Sequence, residues 1–386
     1  MLSQRWKWIG IGWLLMLGLV GSSPQLGPSS SAGEEPSSKL AIRSTKMLYR
    51  GVWPWEAALS PGGERLAAWG PVEGSDLNIP GYEWQLCVWD VKTGEVLFRR
   101  KTRGGLSQLA FSQNGKYLVT CGTADEFADA PVWDVSTGEK ITELIDADHR
   151  GEEPFSSWCA FSPDGELVAT YFGDSHSIGL FDAKTWRLKQ TIKIQELPTV
   201  RRLATFTPDS RYLVVVGSMN PPFSERRPDN ANDVLTVWRI LDRQVVANIR
   251  KFSSQHSICM AFSPSGQWLA IGMGDIGGGV KLIEWNREQP KLIDLRTHNL
   301  AVLSLVFTPD NRFLLVYGMS RRKDDKVSKS SLQVWDWQER KQLTEQEIKI
   351  RPPLLISPDG KHLFFAGDNE VLRMWELPEA LQPRKQ

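Results

Sequence analysis

A five-residue phrase recurs seven times down the chain, and no other feature constrains the fold so tightly. It reads Leu59-Ser-Pro-Gly-Gly63, Phe111-Ser-Gln-Asn-Gly115, Phe161-Ser-Pro-Asp-Gly165 and Phe206-Thr-Pro-Asp-Ser210. It continues as Phe262-Ser-Pro-Ser-Gly266, Phe307-Thr-Pro-Asp-Asn311 and Ile356-Ser-Pro-Asp-Gly360, with copies 45 to 56 residues apart. Such a period marks a repeat architecture, in which each unit buries its apolar face only against its neighbours. Alternating apolar residues flank each copy, as in Leu167-Val168-Ala169-Thr170. Two strands around Pro-Asp-Gly form a hairpin, because Pro presets φ at the second turn position and Gly or Asn accepts positive φ at the end.

A second phrase follows each hairpin: Val88-Trp89-Asp90, Val132-Trp133-Asp134, Leu180-Phe181-Asp182, Val237-Trp238-Arg239, Ile283-Glu284-Trp285, Val334-Trp335-Asp336 and Met374-Trp375-Glu376. Several copies then turn through Thr93-Gly94 or Thr137-Gly138 into a further strand such as Glu95–Phe98. Four short strands per copy, without helical periodicity, predict an all-β chain of seven four-stranded antiparallel blades.

On these two phrases the chain resembles the WD40 repeat family over residues 40–377. The resemblance implies a seven-bladed β-propeller and a non-enzymatic protein-interaction module. The family's Gly-His pair survives only as His298, with Thr297 where Gly belongs, so its Asp-His-Ser-Trp hydrogen-bond network is expected to be missing from most blades. Other propeller families also use Ser-Pro-Asp-Gly hairpins, and the Trp-Asp ahead of the third turn favours WD40.

The last copy has three recognisable strands, near Pro353–Ile356, His362–Ala366 and Val371–Leu377, and only a short tail, 378–386, after them. Its fourth strand is expected from the other terminus, near Thr45–Tyr49, which closes the ring and removes an exposed edge. Of the 17 Trp, six occupy the Trp-Asp position, and the repeat aromatics Trp89, Trp133, Phe181, Trp238, Trp285, Trp335 and Trp375 are read as structural packing between blades.

The N-terminus has the order of a secretory leader: Arg5 and Lys7, then the uncharged run Trp8–Val20, then Gly21, Ser22 and Ser23. Thirteen residues rise roughly 20 Å as a helix, short of a ~30 Å hydrocarbon core. Residues 1–22 are therefore read as a signal peptide cut after Ser22 or as an uncleaved anchor, with membrane contact confined to residues 8–21. Either outcome puts the remainder outside the cytoplasm. Residues 23–39, rich in Ser, Pro and Gly, read as a linker.

Candidate chemistry is sparse. The four cysteines, Cys87, Cys121, Cys159 and Cys259, form no Cys-x-x-Cys pair and read as buried small hydrophobes. Gly272-Met-Gly274-Asp-Ile-Gly277 matches a dinucleotide fingerprint, but a strand-like run, Val280–Trp285, stands where the mechanism needs a helix. The loop Asp146–Glu153 hints at calcium, but Arg150 and Ser157 occupy positions that need oxygen ligands and a Glu. No catalytic residue, metal or cofactor is expected. A net charge of +1, from 46 basic and 45 acidic residues, argues against a dedicated nucleic-acid partner.

Variation concentrates in the connections between the second and third strands of each blade: Pro71–Glu83, Ser218–Asn232 and Gly318–Ser331 are the long ones. Insertions on one face of a repeat array tend to mark its binding face. Blades one to three place acids there, such as Glu73, Glu83, Asp125 and Glu153, whereas blades four and six place Arg226, Arg227, Arg321, Arg322 and Lys323. These five basic residues are the candidate contacts for a dipolar protein partner. The rival expectation is a propeller enzyme, lactonase- or quinoprotein-like, with its chemistry at the central channel.

Overall fold

The computed structural model describes residues 43–383, apart from Trp53 and residues 74–82, 103–105, 123–129, 146–155, 174–175, 195–198, 219–232, 251–256, 275–277, 287–289, 298–299, 321–328, Lys349 and 368–370. Strand β1 spans Arg43–Tyr49. Blade one is β2 (Glu56–Leu59), β3 (Arg65–Pro71), β4 (Trp84–Asp90) and β5 (Val96–Thr102). Blade two is β6 (Leu106–Phe111), β7 (Tyr117–Gly122), β8 (Pro131–Asp134) and β9 (Lys140–Glu143). Blade three is β10 (Ser156–Phe161), β11 (Leu167–Phe172), β12 (Ser177–Asp182) and β13 (Leu188–Lys193). Blade four is β14 (Thr199–Phe206), β15 (Tyr212–Ser218), β16 (Asp233–Arg239) and β17 (Gln244–Arg250). Blade five is β18 (Ser257–Phe262), β19 (Trp268–Met273), β20 (Val280–Glu284) and β21 (Lys291–Leu295). Blade six is β22 (Leu300–Phe307), β23 (Phe313–Ser320), β24 (Lys329–Asp336) and β25 (Lys341–Glu347). Blade seven is β26 (Ile350–Ile356), β27 (His362–Gly367) and β28 (Leu372–Glu376), completed by β1 in the order β1-β28-β27-β26.

Each sheet is antiparallel, and the first strand of each blade contacts the first strand of the next, with β26 returning to β2, so the blades close into a ring. The terminal strand runs further than the sequence reading placed it: Arg43 faces Glu376 and Tyr49 faces Leu372. Tyr49 seals the seam. It is fully buried, its hydroxyl donates to the Val91 carbonyl at 2.9 Å, and its ring lies edge-on to Trp89 at 6.0 Å.

The recurrent phrase builds the same turn seven times, with the last residue at φ between 59° and 75° (Gly63, Gly115, Gly165, Ser210, Gly266, Asn311 and Gly360). In blade three the Gly165 N–H donates to the Ser162 carbonyl at 2.9 Å, and the Ser162 hydroxyl oxygen accepts the Leu167 N–H at 2.9 Å. The same hydroxyl donates to Asp164 Oδ1 at 2.6 Å, and Asp164 Oδ1 accepts the Glu166 N–H at 3.0 Å. The Ser or Thr of each phrase is buried, which makes its hydroxyl a fixed part of the hairpin and not a surface group.

The Asp of Trp-Asp caps the next turn. Asp90 Oδ1 accepts the N–H groups of Lys92 and Thr93, Asp134 those of Ser136 and Thr137, and Asp182 those of Lys184 and Thr185. These interactions hold all three carboxyls below the usual range. The main cause is the Thr93 N–H for Asp90, the Ser136 hydroxyl for Asp134 and the Lys189 ammonium for Asp182. Blade four has Arg239 there instead, and it pairs with Asp242 within the turn at 2.6 Å.

The repeat aromatics are 0% to 9% exposed, and each packs into the seam with the preceding blade. Trp89 shares a core cluster with Phe364 of blade seven, Trp133 with Trp69 of blade one, Phe181 with Val119 of blade two, and Trp238 with Trp158 of blade three. Trp285, Trp335 and Trp375 repeat the arrangement against Val214, Leu282 and Leu315.

One expectation changes, and one feature goes beyond the sequence reading. Blade six was read as having a loop over Gly318–Ser331, but β23 runs to Ser320 and β24 begins at Lys329, so a longer hairpin takes up both ends of that segment. The tail is also docked: a short 3-10 turn, Glu379–Leu381, buries Leu381 completely against blades six and seven.

Candidate functional site

The two ends of the blades differ in how much the sequence varies. The end bearing the turns between first and second strands and between third and fourth strands is uniform, because the same hydroxyl and carboxylate caps recur there. The other end carries the b–c and d–a connections, and these differ from blade to blade.

Part of that variable end is described. In blade one, Glu73 accepts the Gly51 N–H at 2.9 Å and pairs with Arg50 at 2.6 Å, while Val52 bridges Val72. Glu83 pairs with Lys101 at 2.8 Å. Both carboxylates are thus matched locally. Beside them Trp69 and Trp84 stack at 4.3 Å, and Trp55 meets Trp84 edge-on at 4.9 Å. Sequence reasoning did not single out this trio, because Trp55 and Trp84 stand outside the repeated phrases. Arg226, Arg227, Arg321, Arg322 and Lys323 lie outside the described residues, as do the Asp146–Glu153 loop and His298. Residues 1–42, with the whole leader, do so too; among the described residues no helix is long and apolar enough to cross a membrane.

The expected loss of a Trp-centred hydrogen-bond network takes a specific form. The Trp133 indole donates to Thr120 Oγ1 at 3.0 Å, Trp335 to Gln333 Oε1 at 2.9 Å, and Trp285 to the Gly266 carbonyl at 3.0 Å. The buried indole N–H groups of Trp89 and Trp375 have no acceptor. In blades one and seven the aromatic is therefore held by packing without an indole hydrogen bond.

The glycine-rich candidate is a packing device. Gly272 sits in β19, where a Cβ would fall 2.5 Å from Cys259 Sγ and 2.6 Å from Val302, and β20 follows instead of a helix. The cysteines are free, and burial pushes the Cys87 thiol up to about 12. Among the described residues no group of three His, Cys, Asp or Glu could hold a metal ion.

Comparison with known proteins agrees with this geometry. The family model of the WD domain, G-beta repeat, matches residues 247–282, from β17 through β20. An uncharacterised WD repeat-containing protein of Synechocystis sp. is 27% identical over 143 residues, 37% of this chain and 38% of that protein, so the chain spans well under half of that relative's length. The β-propeller domain of Myceliophteria thermophila Cps50 (Swd1) superposes with a TM-score of 0.62 at 13% identity, covering 87% of this chain and 100% of the domain. Kuenenia stuttgartiensis hydrazine synthase does so with a TM-score of 0.62 at 16% identity, covering 89% and 100%. At such identities the structural likenesses speak of fold alone. By its sheet order the chain is a seven-bladed β-propeller, and one of its repeats, residues 247–282, matches the WD domain, G-beta repeat.

Proposed function

We propose that this protein is a non-enzymatic protein-interaction scaffold held outside the cytoplasm, and that its partner docks on the end bearing the b–c and d–a connections. The observation that carries the reading is the contrast between the two ends. One keeps the same capped turn in every blade at positive φ, while the other spends its sequence on connections of unequal length, 72–83 in blade one against 173–176 in blade three. A rigid ring with one variable end is suited to displaying loops to a partner. The WD40 relatedness supports the scaffold part of the reading, since such propellers generally bind proteins. The basic-apolar-small order of residues 1–23 supports export.

One observation favours a second reading, a channel-centred enzyme: the fold shared with hydrazine synthase. At 16% identity that likeness speaks of fold alone, and the scaffold reading is preferred.

Two experiments test the proposal. Capture from the intact envelope should fall when Arg226, Arg227, Arg321, Arg322 and Lys323 are changed to Glu, with the melting temperature unchanged. The loss should fade at 1 M salt, where the Debye length is ~3 Å. Unchanged capture at low salt would refute the docking end. A reporter active only in the cytoplasm, fused after Gln386, should be silent; strong activity would refute export.

A further inference from the structure

Two of the four free cysteines meet across a seam between blades. Cys121 lies in β7 of blade two, where it faces Gln108 across the ladder. Cys159 lies in β10 of blade three, where it faces Thr170. The Cys121 sulfur is 3.8 Å from Oγ1 of Thr170, the residue opposite Cys159. The Cys159 sulfur is 3.9 Å from the carbonyl oxygen of Gln108, the residue opposite Cys121, and 3.7 Å from that of Val119. Each thiol thus reaches the residue that faces the other, and residues facing one another in a ladder stand only about 4.5–5.5 Å apart. Both side chains are fully buried in one apolar cluster with Val119, Val168 and Phe181. Cys87 and Cys259 pack in two other clusters.

The seam tolerates the loss of both thiol protons. Thr170 donates its own hydroxyl proton to the Trp158 carbonyl at 3.1 Å, so toward Cys121 it accepts. Gln108 and Val119 offer carbonyl oxygens, which only accept. Joining the two sulfurs therefore strands no buried donor. The same surroundings keep the dithiol quiet. Burial above all, and then the hydrogen bond with Cys121, raises the Cys159 thiol well above the usual range. Disulfide exchange needs a thiolate and a path for the incoming disulfide, and the closed seam favours neither.

We propose that Cys121 and Cys159 join in a disulfide between blades two and three, formed by exchange with a donor disulfide while the two blades come together. In the first step one cysteine thiolate attacks a donor sulfur and expels one donor thiol. In the second the other cysteine gives up its proton, attacks the protein sulfur of the mixed disulfide and expels the second donor thiol. The two cysteines lose two electrons and two protons, and the donor gains both as its two thiols. The link closes the stretch 121–159 and restricts the unfolded chain, which favours the folded ring. β7 ends at Gly122 and β10 begins at Ser156, both at the end that bears the variable connections. The link therefore pins the roots of the acidic connections 123–129 and 146–155. Its presence in the cell rests on the export reading, since disulfides persist in oxidising compartments.

The test uses the full chain, purified and refolded from urea with oxidised glutathione as the donor, so it does not depend on where the cell puts the protein. Free thiols should fall from four to two. Non-reducing peptide mapping should show the peptide of Cys121 joined to that of Cys159, with Cys87 and Cys259 unlinked. The urea midpoint of the linked chain should exceed that of the chain kept in reductant. Cys121→Ala should have the same midpoint with and without oxidised glutathione, and so should Cys159→Ala. Oxidised glutathione added to the folded, reduced chain should produce the link at least about tenfold more slowly than refolding does. The proposal is overturned by four free thiols after refolding, or by glutathione or a different cysteine on Cys121 or Cys159. It is overturned equally by a linked chain of lower midpoint, or by equal rates in the folded and the refolding chain. If either variant fails to fold, the mapping of the unaltered chain still decides. Free thiols at both positions in protein recovered from the cell, with the link formed in vitro, would count against export and not against the pair.

Discussion

Replacing Ser162 by Ala isolates what the recurrent phrase contributes. The Ser162 hydroxyl is fully buried, accepts the Leu167 N–H at 2.9 Å and donates to Asp164 Oδ1 at 2.6 Å. Ala removes both bonds and leaves the Leu167 N–H without that acceptor. A donor stranded in this way costs about 1–3 kcal/mol, and a hydrogen bond to a charged group contributes about 1.5–3 kcal/mol. With Asp164 facing water on its other side, a net loss of about 2–3 kcal/mol is expected. Blade one supplies the control. Ser60 is as deeply buried, at 3% exposure, and accepts the Arg65 N–H at 2.9 Å, but Gly62 stands where the other blades carry a carboxylate or another side-chain cap. Ser60→Ala should therefore cost only about 1 kcal/mol. Ser162→Thr should be close to neutral, since Thr207 and Thr308 make the same bonds to Tyr212 and Phe313. Urea unfolding at constant m-value measures all three variants. Equal losses for Ser60→Ala and Ser162→Ala, or a loss under about 0.5 kcal/mol for the latter, would refute the reasoning.

Thr120→Val keeps the shape of a fully buried side chain and strands the Trp133 indole, so urea unfolding should show a loss of about 1–3 kcal/mol. Asp90, Asp134 and Asp182 titrate below their unfolded value of ~3.9, so their stabilisation is complete above that value and is lost as pH falls through the depressed folded values. The urea midpoint should therefore drop steeply below about pH 4, and Asp134→Asn should flatten that drop. Cys87, fully buried with its thiol pushed up to about 12, should resist a thiol reagent at neutral pH until the protein unfolds, whereas rapid native labelling would mean that blade one opens locally.

Much of this architecture was legible because it rests on backbone chemistry that repeats. Positive φ at the end of each phrase needs Gly, or a residue such as Asn311 or Ser210 that tolerates it, and those letters stand at fixed intervals. The Trp-Asp aromatics were legible for the same reason, since seven equivalent seams call for seven similar side chains. What escaped depends on partners brought together by the ring. The Ser210 hydroxyl accepts the Asp164 N–H of the preceding blade at 2.9 Å, which explains a Ser where Gly is usual, and no local pattern signals it. The docking of Leu381 and the extension of β23 and β24 into an expected loop are likewise settled by tertiary packing over propensity.

The account depends on a ring closed by β1, since open blades would neither hold the loops rigidly nor protect β28. Tyr49 alone buries an aromatic surface of ~150–250 Å², worth up to about 4–6 kcal/mol of transfer free energy. Its removal also uncovers Trp89, Phe364 and Leu372. The direct measurement compares urea unfolding of a chain beginning at Leu40 with that of one beginning at Val52, which lacks β1. The first should unfold cooperatively at the midpoint of the full chain. The second should lose several kcal/mol and its sharp transition. Equal midpoints and equal cooperativity in the two would contradict closure by the N-terminal strand.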